Sequence, residues 1–267
     1  MPSQPQITTA QQLLQLSRQV GVEYLFTNLG SDHPAFIEGF AQIAARGEAM
    51  PKIIVCPHEM TALSAAHGYA MIARRPQLVL VHVDVGTQNL GGSVHNAARG
   101  RVPVIIVAGL SPVTDKSERT GSRNEFVHYI QDTPRQQEIV AQYMKWCYEL
   151  RAPEMVDAVA LRAAQIATTM PEGPVYITGA REIWDAPVAS SGFELIKEGQ
   201  PVPNVKLVDE NSTHPVVQRV FRDIKETKRI DFVPNIWRAL ATRRQHLALC
   251  WTRLKVSVRK FCTVVEQ

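Results

Sequence analysis

Residues 57–96 read PHEMTALSAAHGYAMIARRPQLVLVHVDVGTQNLGGSVHN, and this stretch decides the fold of the chain. Glu59 opens an alanine-rich segment, ending near Ala73, that predicts a helix. The apolar run Leu78–Val83 predicts a buried strand, and a glycine turn at Gly86 opens another helix. A helix, a short apolar strand and a second helix form the repeating unit of a parallel α/β sheet.

The same alternation extends on both sides of this stretch. Short apolar segments predict strands, and the segments between them carry helical periodicity or capping residues. The predicted strands are Val22–Phe26, Lys52–Val55, Leu78–Val83, Val102–Ala108, Lys145–Leu150 and Val175–Thr178. The predicted helices are Ala10–Gln19, Pro34–Arg46, Glu59–Ala73, Leu90–Ala98, Gln136–Met144 and Pro153–Thr169. We therefore expect an α/β fold, a doubly wound parallel sheet of about six strands with helices on both faces, plus a helical C-terminal tail.

Charge divides the chain into two parts. Residues 1–205 contain 16 Lys and Arg against 19 Asp and Glu, a balance of −3, whereas residues 206–267 contain 13 against 6, a balance of +7. Pro- and Ser-containing segments lie near the boundary. These features predict a domain over residues 1–186, a linker over 187–209 and a basic helical tail over 210–267.

The basic tail is predicted to form two helices, His214–Lys228 and Pro234–Val258. Within it, Phe232–Ala241 faintly resembles the opening helices of carboxymuconolactone-decarboxylase and alkylhydroperoxidase-like proteins. The reactive Cys-x-x-Cys and His of those proteins are missing, so we expect no peroxidase activity. Three interpretations stay open: a basic amphipathic tail, a truncated or mis-joined segment, and an interaction or nucleic-acid module. The last of these lacks a recognisable reader motif, so we do not expect nucleic acid as a partner.

The composition, with 45% hydrophobic and 20% charged residues, is that of a soluble globular protein. No run approaches the ~20 apolar residues that a membrane helix needs. The N-terminus resembles neither a secretory signal nor an Arg-rich presequence. We therefore expect a cytoplasmic protein with no membrane partner. The four cysteines are widely spaced, without a Cys-x-x-Cys pair or zinc spacing, which predicts reduced thiols and no metal site.

Polar loops follow three of the predicted strands: Gly30-Ser31, Pro57–Glu59 and Val85–Asn89. Because ligands bind at the carboxyl ends of parallel strands, these loops predict one wall of a cofactor site. Gly86 would let the backbone approach a ligand closely. The polar excursion over residues 111–135 is interpreted as either a flap over this site or a subunit contact.

Several ordered motifs resemble the N-terminal pyrimidine-binding domain of thiamine-diphosphate enzymes. They are Glu59, Gly68-Tyr69-Ala70, Gly86-Thr87-x-Asn89 and the apolar strand Pro103–Ala108. Asn28-x-Gly30-Ser31, and His82 before the glycine turn, resemble the benzoylformate decarboxylase branch. Acetolactate synthases usually show a Gly-Pro-Gly turn where this chain has Asp84-Val85-Gly86. The resemblance covers about residues 8–185.

The resemblance implies thiamine diphosphate as the cofactor and suggests roles for individual residues. Glu59 would share a proton with the pyrimidine ring of the cofactor; the alternative is a first-turn carboxylate favoured by the helix dipole. Ser31 and His82 would contact or protonate substrate-derived groups; the alternatives are a turn serine and a satisfied histidine at a strand end. The implied catalytic residues are Glu59, His82 and Ser31. The implied cofactor-binding residues are Glu59, Gly86, Thr87, Asn89 and Gly30.

The resemblance also implies a second half of the site. In the family, a Gly-Asp-Gly segment and a later Asn hold magnesium and diphosphate, and no Gly-Asp-Gly occurs in this sequence. We therefore expect a component of a 2-oxo-acid decarboxylase or carboligase that lacks its own diphosphate and magnesium domain. It would act as a homodimer or with a chain carrying that domain, on a small 2-oxo acid. The alternative is a non-catalytic, truncated pyrimidine-domain protein that acts through protein association.

Overall fold

The computed structural model describes residues 6–189, residues 209–228, Val233, Leu247 and Ala248. The chain divides into two compact units, Met1–Phe193 and Glu194–Gln267. No helix in the described ranges is long and apolar enough to span a bilayer.

Eight strands occur in the described residues, and six of them form the main sheet. The strands are β1 (Gln6–Thr8), β2 (Tyr24–Thr27), β3 (Lys52–Val55), β4 (Gln77–Val81), β5 (Val104–Leu110), β6 (Trp146–Leu150), β7 (Val175–Ala180) and β8 (Pro187–Ala189). The main sheet has the order β3-β2-β4-β5-β7-β6, and every neighbouring pair in it is parallel. β1 and β8 pair antiparallel in a separate two-stranded sheet.

Helices connect these strands. They are α1 (Thr9–Gln19), α2 (Pro34–Ala45), α3 (Glu59–Ala73), α4 (Val85–Gln88), α5 (Gly92–Arg99), α6 (Val127–Ile130), α7 (Val156–Thr168), α8 (Arg181–Asp185) and α9 (Pro215–Lys228). Short 3-10 helices cover Gln136–Ile139, Ala141–Tyr143 and Pro153–Met155. The predicted fold, a doubly wound parallel sheet of about six strands, is confirmed.

Helices cover both faces of the main sheet because successive strand residues point to opposite sides. On one face, α1, α2, α7 and α8 pack over Leu78, Leu80 and Ile105. On the other face, α3 and α5 pack over Val79 and Ile106. Continuous apolar strands in the sequence therefore supply two buried surfaces at once, as a doubly covered parallel sheet requires.

The structure departs from the sequence-based expectation at several short elements. The predicted helix Gln136–Met144 is not one continuous helix: two 3-10 helices take its place, and Val140 lies between them with a φ of −119°. Its first residue, Gln136, is buried and donates to distant partners in the sheet, so tertiary contacts set the local path. The helices α4, α6 and α8 and the strand β1 were not predicted, because three to five residues are too few to show periodicity.

The boundary between the predicted domain and linker also looks different in the structure. Pro187–Ala189, which we expected to begin a linker, forms β8. The rest of that predicted segment, up to residue 208, lies outside the described residues. The domain boundaries at 186 and 209 therefore stay predictions.

The second unit is described mainly through α9, which agrees with the predicted helix His214–Lys228. Its apolar residues recur at helical spacing, and Val217, Val220, Phe221 and Ile224 are buried. Val233 and Leu247 join the same cluster. Apart from Leu247 and Ala248, the predicted helix Pro234–Val258 lies outside the described residues, and so does all of Phe232–Ala241 except Val233.

Candidate cofactor site

The candidate site lies at the carboxyl edge of the main sheet, where the strand order reverses. β2 pairs with β3 on one side and with β4 on the other. The loops that leave these three adjacent strands therefore meet at one point of the rim, which is where open α/β sheets bind ligands. Asn28, Glu59 and His82 enter the site from these three loops.

Glu59 is the first residue of α3, yet its side chain is buried, with 4% of the residue exposed. Its Oε1 accepts a hydrogen bond from Asn28 Nδ2 at 3.1 Å, and its Oε2 accepts one from Asn89 Nδ2 at 3.2 Å. No Lys, Arg or His forms an ion pair with Glu59 in the described part of the chain. Two neutral amides and the start of a helix thus hold a desolvated carboxylate, which is suited to sharing a proton with a ligand.

Gly86 lies close to the side chains of both Glu59 and His82. A methyl group added at Gly86 would lie 3.4 Å from Oε1 of Glu59 and 2.9 Å from Cβ of His82. The absence of a side chain therefore keeps the backbone of the turn close to the carboxylate. The turn is itself distorted, since the preceding Asp84 has a positive φ of 48° that non-glycine residues rarely adopt.

A second polar cluster lies beside the first. Asp32, of which 2% is exposed, bonds through Oδ1 to His82 Nδ1 and accepts through Oδ2 from the backbone N–H of Val83 at 3.0 Å. His33 is fully buried: its Nε2 lies 3.0 Å from the carbonyl oxygen of Val81, and its Nδ1 accepts from the N–H of Gly30 at 3.0 Å. His82 retains 18% exposure of its side chain, so it is the member of this cluster that a ligand can reach.

The pKa values of the three ionisable groups in this cluster are shifted in different directions. Burial alone would lower the pKa of His82, but the hydrogen bond and charge of Asp32 outweigh it, and the pKa is raised above its ordinary value. Burial lowers the pKa of His33, although the charge of Asp32 beside it acts in the opposite direction. Burial opposes the charge of Asp32, but the histidines beside it outweigh burial and hold the pKa of Asp32 below its usual range.

The predicted site residues meet at this rim with one difference in orientation. Glu59, Gly86 and Asn89 lie together, and Gly30 packs against the ring of His82. Ser31 occupies an exposed turn just before α2, and its role stays a prediction. Thr87 faces the protein interior, where its Oγ1 lies 2.7 Å from the hydroxyl of Tyr176.

Thr87 belongs to a buried network that anchors the glycine turn. Nε2 of Gln136 donates to the Tyr176 hydroxyl and to the carbonyl of Gly109, both at 2.9 Å. Oε1 of Gln136 accepts from the N–H of Asp84 at 2.8 Å. Burial raises the pKa of Tyr176, whose hydroxyl therefore stays protonated. The network ties the turn to the sheet, so Thr87 supports the site from behind.

Replacing Tyr176 with phenylalanine is expected to lower the free energy of unfolding by about 1–3 kcal/mol, because Thr87 and Gln136 would each lose a buried partner. Urea denaturation followed by circular dichroism measures the change. Tyr143→Phe, on an exposed side chain, is the matched control and should change stability by less than about 0.5 kcal/mol. Equal stabilities for the two variants would contradict a structural role for the Tyr176 hydroxyl.

Sequence reasoning missed three residues of this region: Asn28 as a partner of Glu59, Asp32 as a partner of His82, and Gln136 behind the turn. The sequence contained a signal for Asn28, since this residue opens the Asn28-x-Gly30-Ser31 motif. The only sequence signal for Asp32 was its position beside Ser31. No local sequence pattern connects Asp32 to His82, which lies 50 residues away.

Comparison with known proteins shows which family the domain matches. Residues 7–139 match the family described as "Thiamine pyrophosphate enzyme, N-terminal TPP binding domain". The chain contains a domain of this family. Its thiamine pyrophosphate enzyme N-terminal domain contains the Glu59 and His82 clusters, and the cofactor of the family is thiamine diphosphate, as the sequence predicted.

Relatives and solved structures agree with this assignment. The chain is 35% identical over 102 residues to the "Putative acetolactate synthase large subunit IlvX" of Mycobacterium tuberculosis, an alignment that covers 38% of this chain and 18% of the relative. It is 26% identical over 186 residues to benzoylformate decarboxylase of Pseudomonas aeruginosa, covering 70% of this chain and 32% of the relative. The chain thus spans a third or less of the length of these curated relatives.

A solved structure also has the same fold. It is "a putative thiamin diphosphate-dependent enzyme" from Mycobacterium smegmatis, which superposes with a TM-score of 0.59 at 26% identity. The superposition covers 82% of this chain and 38% of that structure.

The thiamine pyrophosphate enzyme N-terminal domain of this chain fits the pyrimidine end of the cofactor. The fit rests on the buried Glu59 carboxylate, which forms no ion pair within the described part of the chain, and on Gly86, whose missing side chain leaves the backbone near Oε1 of Glu59. No group of three or more His, Cys, Asp or Glu able to hold a metal ion occurs among the residues that the structure describes. Of the cysteines in that part, Cys56 is buried and Cys147 half-buried, and both are free thiols.

Proposed function

We propose that this chain is the pyrimidine-binding component of a thiamine-diphosphate-dependent 2-oxo-acid decarboxylase or carboligase. The observation that carries the proposal is Glu59, a buried carboxylate that is held by two amide donors and forms no ion pair with any residue that the structure describes. A carboxylate held in this way is poorly solvated, so a proton-sharing ligand nitrogen would be its best partner.

In this proposal, each residue of the site has a separate role. Glu59 Oε1 or Oε2 would share a proton with the pyrimidine ring, while Asn28 and Asn89 fix the carboxylate in place. Gly86 would let the ring approach the turn closely. Thiamine diphosphate, when bound, supplies the carbon nucleophile for the carbonyl of a 2-oxo acid. His82 and Ser31 would face the substrate, with His82 moving a proton at its ring nitrogen.

The proposal includes a partner. The groups that hold diphosphate and magnesium would come from a polypeptide segment carrying a Gly-Asp-Gly motif, either in a homodimer of a longer form or in a different chain. This is supported by the much greater length of the relatives, of which the chain covers 18% and 32%. The predicted cytoplasmic location, the oligomeric assembly and the 2-oxo-acid substrate belong to the same proposal.

Calorimetry and co-purification together test this function. The tagged chain is purified alone and with a chain that carries the Gly-Asp-Gly domain, the first choice being the product of the neighbouring coding sequence. Each sample is titrated with thiamine diphosphate and magnesium and assayed with pyruvate and benzoylformate. We expect cofactor binding and turnover in the assembled sample.

Other outcomes decide against the proposal. An assembly that forms but neither binds the cofactor nor turns over a 2-oxo acid would support the non-catalytic alternative. Absence of assembly, of binding and of turnover would overturn both the catalytic function and the proposed partner.

A further inference from the structure

We propose that Asp32 is a positioning residue, which holds His82 by Nδ1 so that the opposite nitrogen, Nε2, exchanges the proton in the site. The catalytic part of this inference rests on the proposed function above. The contact itself is a property of this chain and can be tested without cofactor.

The hydrogen bonds around Asp32 determine which ring nitrogen of His82 carries a proton. Both carboxylate oxygens are acceptors: Oδ2 receives the N–H of Val83 at 3.0 Å, and Oδ1 faces His82 Nδ1. His82 Nδ1 must therefore be the donor. In the neutral ring this leaves the lone pair on Nε2, and in the charged ring it leaves a transferable proton there.

Two glycines make room for this pair. A methyl group at Gly30 would lie 2.5 Å from Cγ of the His82 ring, and one at Gly109 would lie 2.6 Å from Cγ of Asp32. Both distances are shorter than atoms tolerate. The loop after β2 and the strand β5 thus close on the two side chains from different directions, and the ring cannot turn freely.

His33 also approaches Asp32, with its Nε2 3.4 Å from Oδ2, but the shorter hydrogen bonds of its ring go to backbone groups. Its Nε2 donates to the carbonyl of Val81, and its Nδ1 accepts from the N–H of Gly30, so backbone groups satisfy both ring nitrogens of the neutral form. Burial keeps its pKa low. The buried carboxylate is therefore paired with His82, the histidine that solvent and ligands can reach.

Ionisable and polar groups from several described elements act on the ring of His82. From the β2–α2 loop these are Asp32 and His33, whose ring centroid lies 6.2 Å from that of His82. Glu59 acts from the start of α3, and Gln131 acts from the segment after α6. Burial disfavours the charged ring, but Asp32, Gln131 and Glu59 favour it, and the pKa of His82 is raised. The geometry and the charges therefore act in the same direction.

The proton transfer that follows is simple. Charged His82 gives the Nε2 proton to a substrate-derived atom, and the N–H bond electrons stay on the ring as a lone pair. The neutral ring keeps its Nδ1–H bonded to Asp32. The ring therefore returns to the charged form by taking a proton at Nε2, without rotating.

Nuclear magnetic resonance of the cofactor-free chain tests the pairing. The variant is Asp32→Asn, the control is Asp115→Asn on an exposed loop, and His82→Gln identifies the His82 signals. In wild type we expect His82 to titrate above the ordinary 6.5 and its neutral ring to carry the proton on Nδ1. In Asp32→Asn the amide satisfies Val83 with its oxygen and turns its NH₂ towards His82. We expect a pKa about one unit or more lower, with the proton on Nε2.

Activity provides a second readout in the assembled enzyme. Because charged His82 is the active form here, turnover should fall as pH rises through its pKa, and Asp32→Asn should move this alkaline limb to lower pH. Asp115→Asn should leave both the titration and the limb unchanged.

The proposal is overturned if neutral His82 in wild type carries its proton on Nε2, or if Asp32→Asn leaves the His82 titration unchanged. The wild-type tautomer decides the matter even if the variant does not fold. Cofactor binding that fails while the His82 titration behaves as expected would reject the proposed function and leave the positioning contact standing.

Discussion

Glu59→Gln is expected to reduce turnover of a 2-oxo acid by at least ~10²-fold in the assembled protein, the scale of losing one proton-transfer group. Glutamine has the same shape but cannot share a proton with a pyrimidine nitrogen. The fold should survive, since the side-chain oxygen can still accept from Asn28 or Asn89 and either amide can reorient. Steady-state kinetics and circular dichroism on the same preparation measure both effects.

The control for this substitution is Glu38→Gln. Glu38 lies exposed on α2 and accepts a hydrogen bond from Gln42, so the same chemical change occurs away from the site. Its turnover should match wild type. If Glu59→Gln also keeps wild-type turnover while assembling normally, Glu59 is only a first-turn carboxylate that the helix dipole favours.

Gly109→Ala is expected to destabilise the protein by about 3 kcal/mol or more, the upper end of overpacking effects. The new methyl group would overlap the carboxylate of Asp32 and lie 2.6 Å from its Cγ. Asp32 is buried and bonded to His82 and to the backbone of Val83, so it cannot move aside without losing these bonds. Urea denaturation measures the free energy of unfolding.

Gly68→Ala is the control, because it makes the same substitution at a position with space for the added methyl group. Gly68 lies within α3, and an added methyl group would have no heavy atom within 4 Å. Alanine favours the helix, so we expect stabilisation by up to about 1 kcal/mol. If Gly109→Ala were as stable as Gly68→Ala, the close packing of β5 against Asp32 would be wrong.

The main sheet and its long helices were predictable because their signals are local. Apolar runs such as the one around Ile106 and the alanine-rich α3 show their type within ten or so residues, and α3 begins and ends where the sequence indicated. The region after β5 was not predictable in the same way. There Gln136 bonds to Tyr176 and Gly109, and these distant partners replace a regular helix by 3-10 turns.

The candidate site divides in a similar way. Glu59, Gly86 and Asn89 were predicted from ordered motifs that resemble a family, and the structure brings the three residues together. Thr87 was assigned to the same wall, but the structure turns its hydroxyl inward to Tyr176. In a helix of only four residues, tertiary packing decides which side chains face the site and which face the interior. The sequence of such a short helix does not show this.

The sequence by itself determined the fold class, the family resemblance and the position of the acidic residue at the start of α3, because helix and strand periodicity and short motifs depend on neighbouring residues. Only the tertiary structure decided that Asp32 bonds to His82, that two amides hold Glu59, and that Gly109 leaves room for a carboxylate. Each of these contacts joins residues about 30 to 77 positions apart. The parallel pairing of neighbouring strands, at the point where the strand order reverses, brings these residues together. No local sequence pattern shows which strands will be neighbours.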